Sequence, residues 1–271
     1  RSATQSSNSG DGKVCVFLHG AGEPSDLPPV TRKYADYWGS VHDFTPQCSE
    51  RHFVRAETTF RGWDSTYLQK TFCALAADPT GQTNGTTIRD TIIFAHSMGN
   101  LILAAGIKNG YCSFDTASSS WYAINPPFGG SPAASKLVSI CHHFFDKSPS
   151  VISFDNLYGI IATKGGYCNE QTKKPSRSYL SLQPGYCSED GQCLDNIGDV
   201  VKAHVTGIMC GSSPFGLKSR YSILLAALAQ IVGYGESNDG MVGVSSCAKF
   251  HGRNAFGDNY KDKFYLSPLN H

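Results

Sequence analysis

Short apolar runs alternate with helix-like segments along most of the chain. The predicted strands are residues 13–18, 52–60, 90–95, 121–125, 204–210 and 263–266, and the predicted helices are residues 30–38, 64–77, 98–107 and 217–232. The strands are short and apolar, as expected where both faces of a parallel sheet are covered. Their alternation with helices predicts an α/β fold with a mainly parallel central sheet flanked by helices.

The alternation stops between about residues 131 and 201, where polar segments containing glycine and cysteine dominate. We interpret this region as a Cys-rich cap or lid insertion over the sheet, within a single domain that spans residues 13–271. Residues 1–12 are polar and rich in serine and glycine, and they are predicted to form a flexible leader.

The overall composition suits a folded protein and excludes some classes of partner. Hydrophobic residues make up 40% of the chain and charged residues 17%, and the formal net charge is +1. This balance provides no overall basic field for nucleic acid, so no nucleic-acid partner is expected. No apolar run reaches the roughly 20 residues that span a bilayer, so no transmembrane segment is predicted. The oligomeric state is left open.

The ten cysteines are the most informative feature of the composition. An even number fits up to five disulfides and an oxidising compartment, so we expect a secreted protein. Cys187 and Cys193 are placed for a local disulfide, and the other pairings stay open. No CxxC pair or Cys/His cluster occurs, so neither a metal site nor a cofactor is predicted. Asn84 begins an Asn-Gly-Thr sequon and is a candidate for glycosylation.

The segment IFAHSMGN at residues 93–100 joins a predicted strand to a predicted helix. A serine at such a bend adopts strained backbone angles, and its neighbours must be small for strand and helix to pack closely; Ala95 and Gly99 meet that need. The hydroxyl of Ser97 would then lie at a helix N-terminus, where a developing anion is favoured. We interpret Ser97 as a nucleophile; the alternative is an ordinary turn in which it only caps the helix.

This motif resembles the nucleophile elbow of the α/β-hydrolase family, in particular the secreted lipases and esterases in which it reads A-x-S-x-G. Further similarities follow in the order of that family. FLHGA at residues 17–21 resembles the strand end that carries the oxyanion loop, and AINPPFGGS at 123–131 resembles the strand and turn after the nucleophile helix. NDGMV at 238–242 is similar to the acid loop of bacterial lipases, and LNH at 269–271 to their terminal Asn-His. The resemblance covers most of the chain outside the Cys-rich insertion.

The resemblance implies a catalytic triad in the order Ser, Asp, His. Ser97 would attack the ester carbonyl, His271 would act as the general base, and Asp239 would orient that histidine. The backbone N–H groups of Ala21 and Met98 would form the oxyanion hole.

Several alternatives remain open from the sequence. His251 is an alternative base, and Asp195 and Asp199 are alternative acids. Asp239 lies in an Asp-Gly pair, which is also typical of a simple hairpin turn. The apolar segment 217–232 fits either a lid that contacts acyl chains or a buried core helix.

The implied function is that of a secreted serine carboxylic-ester hydrolase, a lipase or carboxylesterase that works through an acyl-enzyme without a cofactor. Its partner would be a lipid or a small acyl ester, in solution or at a lipid–water interface. Two alternatives are a catalytically inactive lipase-like binding or surface protein, and an acyltransferase on the same fold. The acyl chain length and head group of the substrate are left open.

Overall fold

A computed structural model describes residues 12–26, 29–82, 85–146, 166–169, 171–218 and 222–271. The strands are β1 (Lys13–Leu18), β2 (Val30–Thr31), β3 (Cys48–Val54), β4 (Thr87–Ile88), β5 (Thr91–His96), β6 (Ser113–Phe114), β7 (Ser120–Ile124), β8 (Cys168–Asn169), β9 (Lys174–Pro175), β10 (Gly207–Gly211) and β11 (Phe264–Ser267). The helices are α1 (Ala35–Trp38), α2 (Val41–Phe44), α3 (Thr66–Ala77), α4 (Met98–Lys108), α5 (Pro132–Asp146), α6 (Arg177–Ser181), α7 (Gly198–His204), α8 (Ser222–Val232) and α9 (Val244–Cys247).

The central sheet has seven strands in the order β11-β10-β7-β5-β1-β3-β2. Every neighbouring pair is parallel except β2 and β3. Parallel neighbours need crossover connections, and helices supply most of them. The predicted fold class, a mainly parallel sheet flanked by helices, is confirmed.

Strand β1 shows why the sheet must be covered on both faces. Val16 and Leu18 pack into a large apolar cluster with residues of α3 and α4, whereas Phe17 packs with Phe53 in a second cluster. Successive side chains of a strand point to opposite faces, so each face of the sheet has its own apolar layer. Leu18 pairs with Ala95 of β5, and this register brings the chain segments that follow β1 and β5 side by side.

Four of the predicted elements need correction. The predicted helix 217–232 begins too early, since residues 217 and 218 are not helical and α8 covers Ser222–Val232. The other three errors concern strands. In the predicted helix 30–38, Val30–Thr31 forms an antiparallel edge strand with β3, and only Ala35–Trp38 is helical. The predicted strand 52–60 is displaced, because β3 covers Cys48–Val54. The predicted strand 204–210 begins too early, since His204 ends α7 and β10 starts at Gly207. In these three cases the apolar run alone did not reveal which residues pair with a neighbouring strand.

All ten cysteines are paired. The five disulfides are Cys15–Cys48, Cys73–Cys112, Cys141–Cys168, Cys187–Cys193 and Cys210–Cys247. The local bridge expected between Cys187 and Cys193 is therefore confirmed. It lies in the predicted insertion, whose boundaries stay a prediction. Residues 1–11 of the predicted leader and the glycosylation candidate Asn84 lie outside the described residues.

Within the described ranges, no helix combines the length and the apolar character needed to cross a bilayer.

Removal of the Cys210–Cys247 disulfide should destabilise the protein more than removal of Cys187–Cys193. The two bridges close loops with sequence separations of 37 and 6 residues, and a longer closed loop restricts the unfolded chain more. We expect Cys210→Ala with Cys247→Ala to lower the free energy of unfolding by about 4 kcal/mol, and Cys187→Ala with Cys193→Ala by about 2 kcal/mol. Denaturant unfolding without reductant measures both. Equal losses would contradict this expectation.

Candidate active site

Ser97 lies at the sharp bend between β5 and α4. Its φ of 51° is in the left-handed region, which is strained for any residue with a Cβ. A Cβ at Gly99 would lie 2.4 Å from the carbonyl oxygen of His19, so only glycine allows this close packing. The strained turn presents the Ser97 side chain at the carboxyl edge of the sheet, at the N-terminus of α4.

The side chains of Ser97, His271 and Asp239 form a continuous hydrogen-bonded relay. Nε2 of His271 lies 2.8 Å from Oγ of Ser97, and Nδ1 of His271 lies 2.7 Å from Oδ2 of Asp239. A neutral imidazole that donates from Nδ1 to the carboxylate has its Nε2 lone pair free to accept the serine hydroxyl. This arrangement can take a proton from the hydroxyl of Ser97.

The carboxylate of Asp239 is buried and fixed by its own turn. Its Oδ1 accepts hydrogen bonds from the backbone N–H groups of Met241 at 2.9 Å and Val242 at 2.6 Å. Its main-chain oxygen accepts the N–H of His271 at 2.9 Å. The Asp-Gly segment is therefore a turn whose hydrogen bonds leave the second carboxylate oxygen directed at the histidine.

Two asparagines hold the segment that carries His271, and their roles were not predicted. The side-chain amide of Asn270 donates to the carbonyl of Leu217 at 3.0 Å. Asn125 follows β7; its amide donates to the carbonyl of Asn270 at 3.2 Å, and its Oδ1 accepts the N–H of Gly211 at 2.8 Å. Both asparagines lie in segments that supported the family resemblance, but only long-range contacts reveal what their side chains do.

The loop after β1 lies directly against the nucleophile. A Cβ at Gly20 would lie 2.6 Å from Cβ of Ser97. The carbonyl of Gly20 accepts hydrogen bonds at 2.8 Å from both Nδ1 of His19 and Oγ1 of Thr58. Because a trans peptide is planar, the N–H of Ala21 in the same peptide unit points away from that carbonyl.

His19 is a buried, neutral histidine. Burial lowers its pKa to about 4, against the weaker opposing effect of its hydrogen bond to Gly20. Its Nε2 accepts the backbone N–H of Ala56 at 3.1 Å, so its proton lies on Nδ1. The sequence indicated this histidine only as part of a strand end, without a role for its ring.

The alternative site residues lie elsewhere. The ring of His251 packs against Phe264, with 4.5 Å between centroids. Asp195 is exposed and pairs with Lys249, and Asp199 is exposed on α7. Within the part of the chain that the structure describes, none of these three alternatives is hydrogen-bonded to the relay. Over the same residues, no group of three or more His, Cys, Asp or Glu side chains could hold a metal ion.

Large apolar side chains next to the relay are exposed to solvent. We call them the apolar rim, and they are Phe215 (63% exposed), Leu217 (59%), Ile223 (76%) and Leu224 (50%). Helix α8 buries its small residues Ser222, Ala226 and Ala229 and turns larger ones outwards. The rim borders the relay, because the carbonyl of Leu217 binds Asn270 and the side chain of Leu225 lies against Gly240. The alternative of a buried core helix is therefore met on one face only, because α8 buries its small residues and exposes its larger apolar ones.

The folded protein should lose stability as the pH falls from about 6.5 to 4. Burial lowers the pKa of His19 to about 4, and burial followed by the charges of His271 and His19 lowers that of His96. In this window the unfolded chain binds protons that the folded protein does not, so acid favours unfolding by about 1.4 kcal/mol per pH unit for each such histidine. The test compares urea unfolding at pH 7.5 and 5.0 in the wild type and in His19→Asn. The substitution should reduce the pH dependence of the free energy of unfolding. An unchanged dependence would contradict the lowered pKa of His19.

No protein-family model and no curated protein matches the sequence. Solved structures with a similar fold do match the chain. The lipase BlEst2 of Bacillus licheniformis in its mature form is 12% identical, with a TM-score of 0.53 over 96% of this chain and 84% of that one. The metagenomic carboxyl esterase MGS0156 is 13% identical, with a TM-score of 0.54 over 97% of this chain and 65% of that one. These likenesses, together with the strand order, show that the chain has the α/β-hydrolase fold.

Proposed function

We propose that the protein is a serine carboxylic-ester hydrolase. The observation that carries the proposal is the relay from Ser97 through His271 to Asp239, with contacts of 2.8 and 2.7 Å. Such distances are those expected between a nucleophile, its base and the group that orients the base. The likeness in fold to a lipase and a carboxyl esterase is consistent with the same chemistry.

In the proposed reaction, Oγ of Ser97 attacks the carbonyl carbon of the ester while its proton passes to Nε2 of His271. Asp239 stabilises the resulting imidazolium. The tetrahedral intermediate breaks its bond to the alcohol oxygen, which takes the proton from His271 and leaves. Water then attacks the acyl-enzyme, gives one proton to His271 and releases the acid, and Ser97 regains its proton.

The oxyanion of the intermediate would be held by the backbone N–H groups of Met98 and Ala21. Met98 is the first residue of α4, where the N–H groups and the helix dipole favour negative charge. The N–H of Ala21 belongs to the peptide whose carbonyl is held by His19 and Thr58. A donor fixed in this way needs little reorganisation when the charge develops.

Substitution of the nucleophile should abolish hydrolysis. We expect Ser97→Ala to lower kcat/KM on p-nitrophenyl esters by at least about 10⁴-fold, because no other group would form the acyl-enzyme. The wild type should also react stoichiometrically with a fluorophosphonate probe, and the variant should not. Ser113→Ala is the matched control and should retain activity, because Ser113 is an exposed residue of strand β6. A wild type that neither hydrolyses esters nor takes up the probe would instead support the inactive binding protein.

We further propose that the ester substrate is presented by an uncharged lipid surface that docks on the apolar rim. Helix α8, SILLAALAQIV, contains no charged residue, and the rim is exposed beside the relay. An apolar surface of this kind fits acyl chains at an interface better than a charged head group. With a net charge of +1, the chain has little general attraction for anionic membranes.

A charge on the rim should weaken activity at a lipid surface more than activity in solution. We expect Ile223→Asp to lower the ratio of activity on an emulsified triglyceride to activity on a soluble p-nitrophenyl ester by about tenfold, since burying an aspartate in lipid is costly. Tyr260→Asp is the control, because Tyr260 is 75% exposed but lies before the amino end of β11, whereas the relay lies beyond the carboxyl end of that strand. An equal ratio in the wild type and both variants would argue against docking at the rim.

We also propose that the protein acts outside the cell. Its ten cysteines form five disulfides, and such bridges persist in oxidising compartments.

A further inference from the structure

The hydroxyl of Tyr37 lies between the two backbone turns of the candidate site. It accepts the N–H of Gly20 at 2.7 Å, and it lies 2.6 Å from Nδ1 of His96. Gly20 belongs to the loop after β1, and His96 is the last residue of β5, directly before Ser97. One oxygen atom therefore contacts both the loop that leads to Ala21 and the strand that leads to the nucleophile.

The number of protons on these groups determines the direction of the hydrogen bonds. A tyrosine hydroxyl has one proton, and its oxygen already accepts the N–H of Gly20. That proton is therefore donated to Nδ1 of His96. The acceptor must be a neutral ring with its proton on Nε2, and the lowered pKa of His96, due first to burial and then to His271 and His19, is consistent with this.

The ring of His96 also packs against the general base. The centroids of His96 and His271 are 4.8 Å apart, so the position of one ring restricts the other. A neutral His96 does not repel the positive charge that His271 acquires during proton transfer, whereas a cationic one would. The Tyr37 hydrogen bond favours the neutral form, because it is made to the lone pair that protonation would remove.

The location of Tyr37 argues that its hydroxyl serves more than local packing. Helix α1 is four residues long and buries none of them completely. A Cβ at Gly20 would lie 3.0 Å from the Tyr37 oxygen, so the hydroxyl is close against the loop backbone. A helix this short adds little stability of its own, yet it brings a polar group to the N–H of the peptide just before the proposed oxyanion donor.

Resting on the hydrolase function proposed above, we propose that Tyr37 is a positioning residue that holds the oxyanion loop at Gly20 and the His96 ring beside His271 with a single hydroxyl. It does not touch the reacting atoms. Its contribution is to fix the distance between the nucleophile, the base and the Ala21 N–H. A small displacement of such groups slows catalysis strongly while leaving substrate binding almost unchanged.

The kinetic test compares Tyr37→Phe with Tyr186→Phe. The control also removes a tyrosine hydrogen bond, since the hydroxyl of Tyr186 donates to Asp64 at 2.7 Å on another part of the molecule. We expect Tyr37→Phe to lower kcat and the rate of fluorophosphonate labelling by about 10- to 30-fold, with KM within about twofold of the wild type. The control should retain kcat. A change in KM alone, an unchanged kcat, or an equal loss of kcat in the control would overturn the proposal.

A spectroscopic test examines the hydrogen bond from Tyr37 to His96, here called the bridge, independently of activity. In protein labelled with ¹⁵N-histidine, the resonances of His96, assigned with His96→Gln, should show a neutral ring protonated on Nε2 at pH 7. In Tyr37→Phe the Nδ1 resonance should move, because it loses its donor. An unchanged resonance in an active enzyme overturns the bridge. If the resonance changes in Tyr37→Phe but the wild type neither hydrolyses esters nor reacts with the fluorophosphonate probe, the hydrolase function is overturned. The hydrogen bonds of Tyr37 are then only structural.

Discussion

The candidate site depends on the close approach of two backbone turns at one edge of the sheet. Gly99 lies against the carbonyl of His19, and Gly20 lies against the side chain of Ser97; a Cβ at either glycine would be too close to its neighbour. Parallel pairing of β1 with β5 brings the two turns together. Because neither glycine has a side chain to separate the two turns, the strained turn at Ser97 and the loop before Ala21 pack directly against each other as one unit.

The other two members of the relay reach this unit from distant strands. In the sheet, β7 and β10 separate β5 from β11, which precedes His271. Asn125 follows β7 and bridges that interval, because its side chain binds the N–H of Gly211 at the end of β10 and the carbonyl of Asn270 after β11. The left-handed backbone of Asn125, with φ of 46°, is tolerated by asparagine better than by most residues. The relay is thus supported by hydrogen bonds that run across the ends of three strands, β7, β10 and β11.

Local features of the sequence predict the fold class and the strand–turn–helix position of Ser97, because both depend on apolar runs and small neighbours within a few residues. The contacts of Tyr37, Asn125 and Thr58 could not be read from the sequence, since each joins segments that only the sheet order brings together. The same reason explains why the sequence pattern predicts a helix at the edge strand Val30–Thr31 and leaves four of the five disulfide pairings open. The roles of Asp239 and His271 rest on resemblance, and their geometry comes from turns and strand ends that no periodicity specifies.

The placement of His271 after β11 has a consequence for how the protein loses its structure during partial unfolding. β11 is an edge strand of the described sheet and is paired with β10 on one side and only with the single residue Gly257 on the other, whereas Ser97 follows a strand with partner strands on both sides. Local opening begins at such edge strands, because its free energy is lower than that of global unfolding. Brief detachment of this edge strand would move the imidazole of His271 away from Ser97 while the centre of the sheet stays folded, so heat or mild denaturant would abolish the proposed activity before the protein unfolds globally.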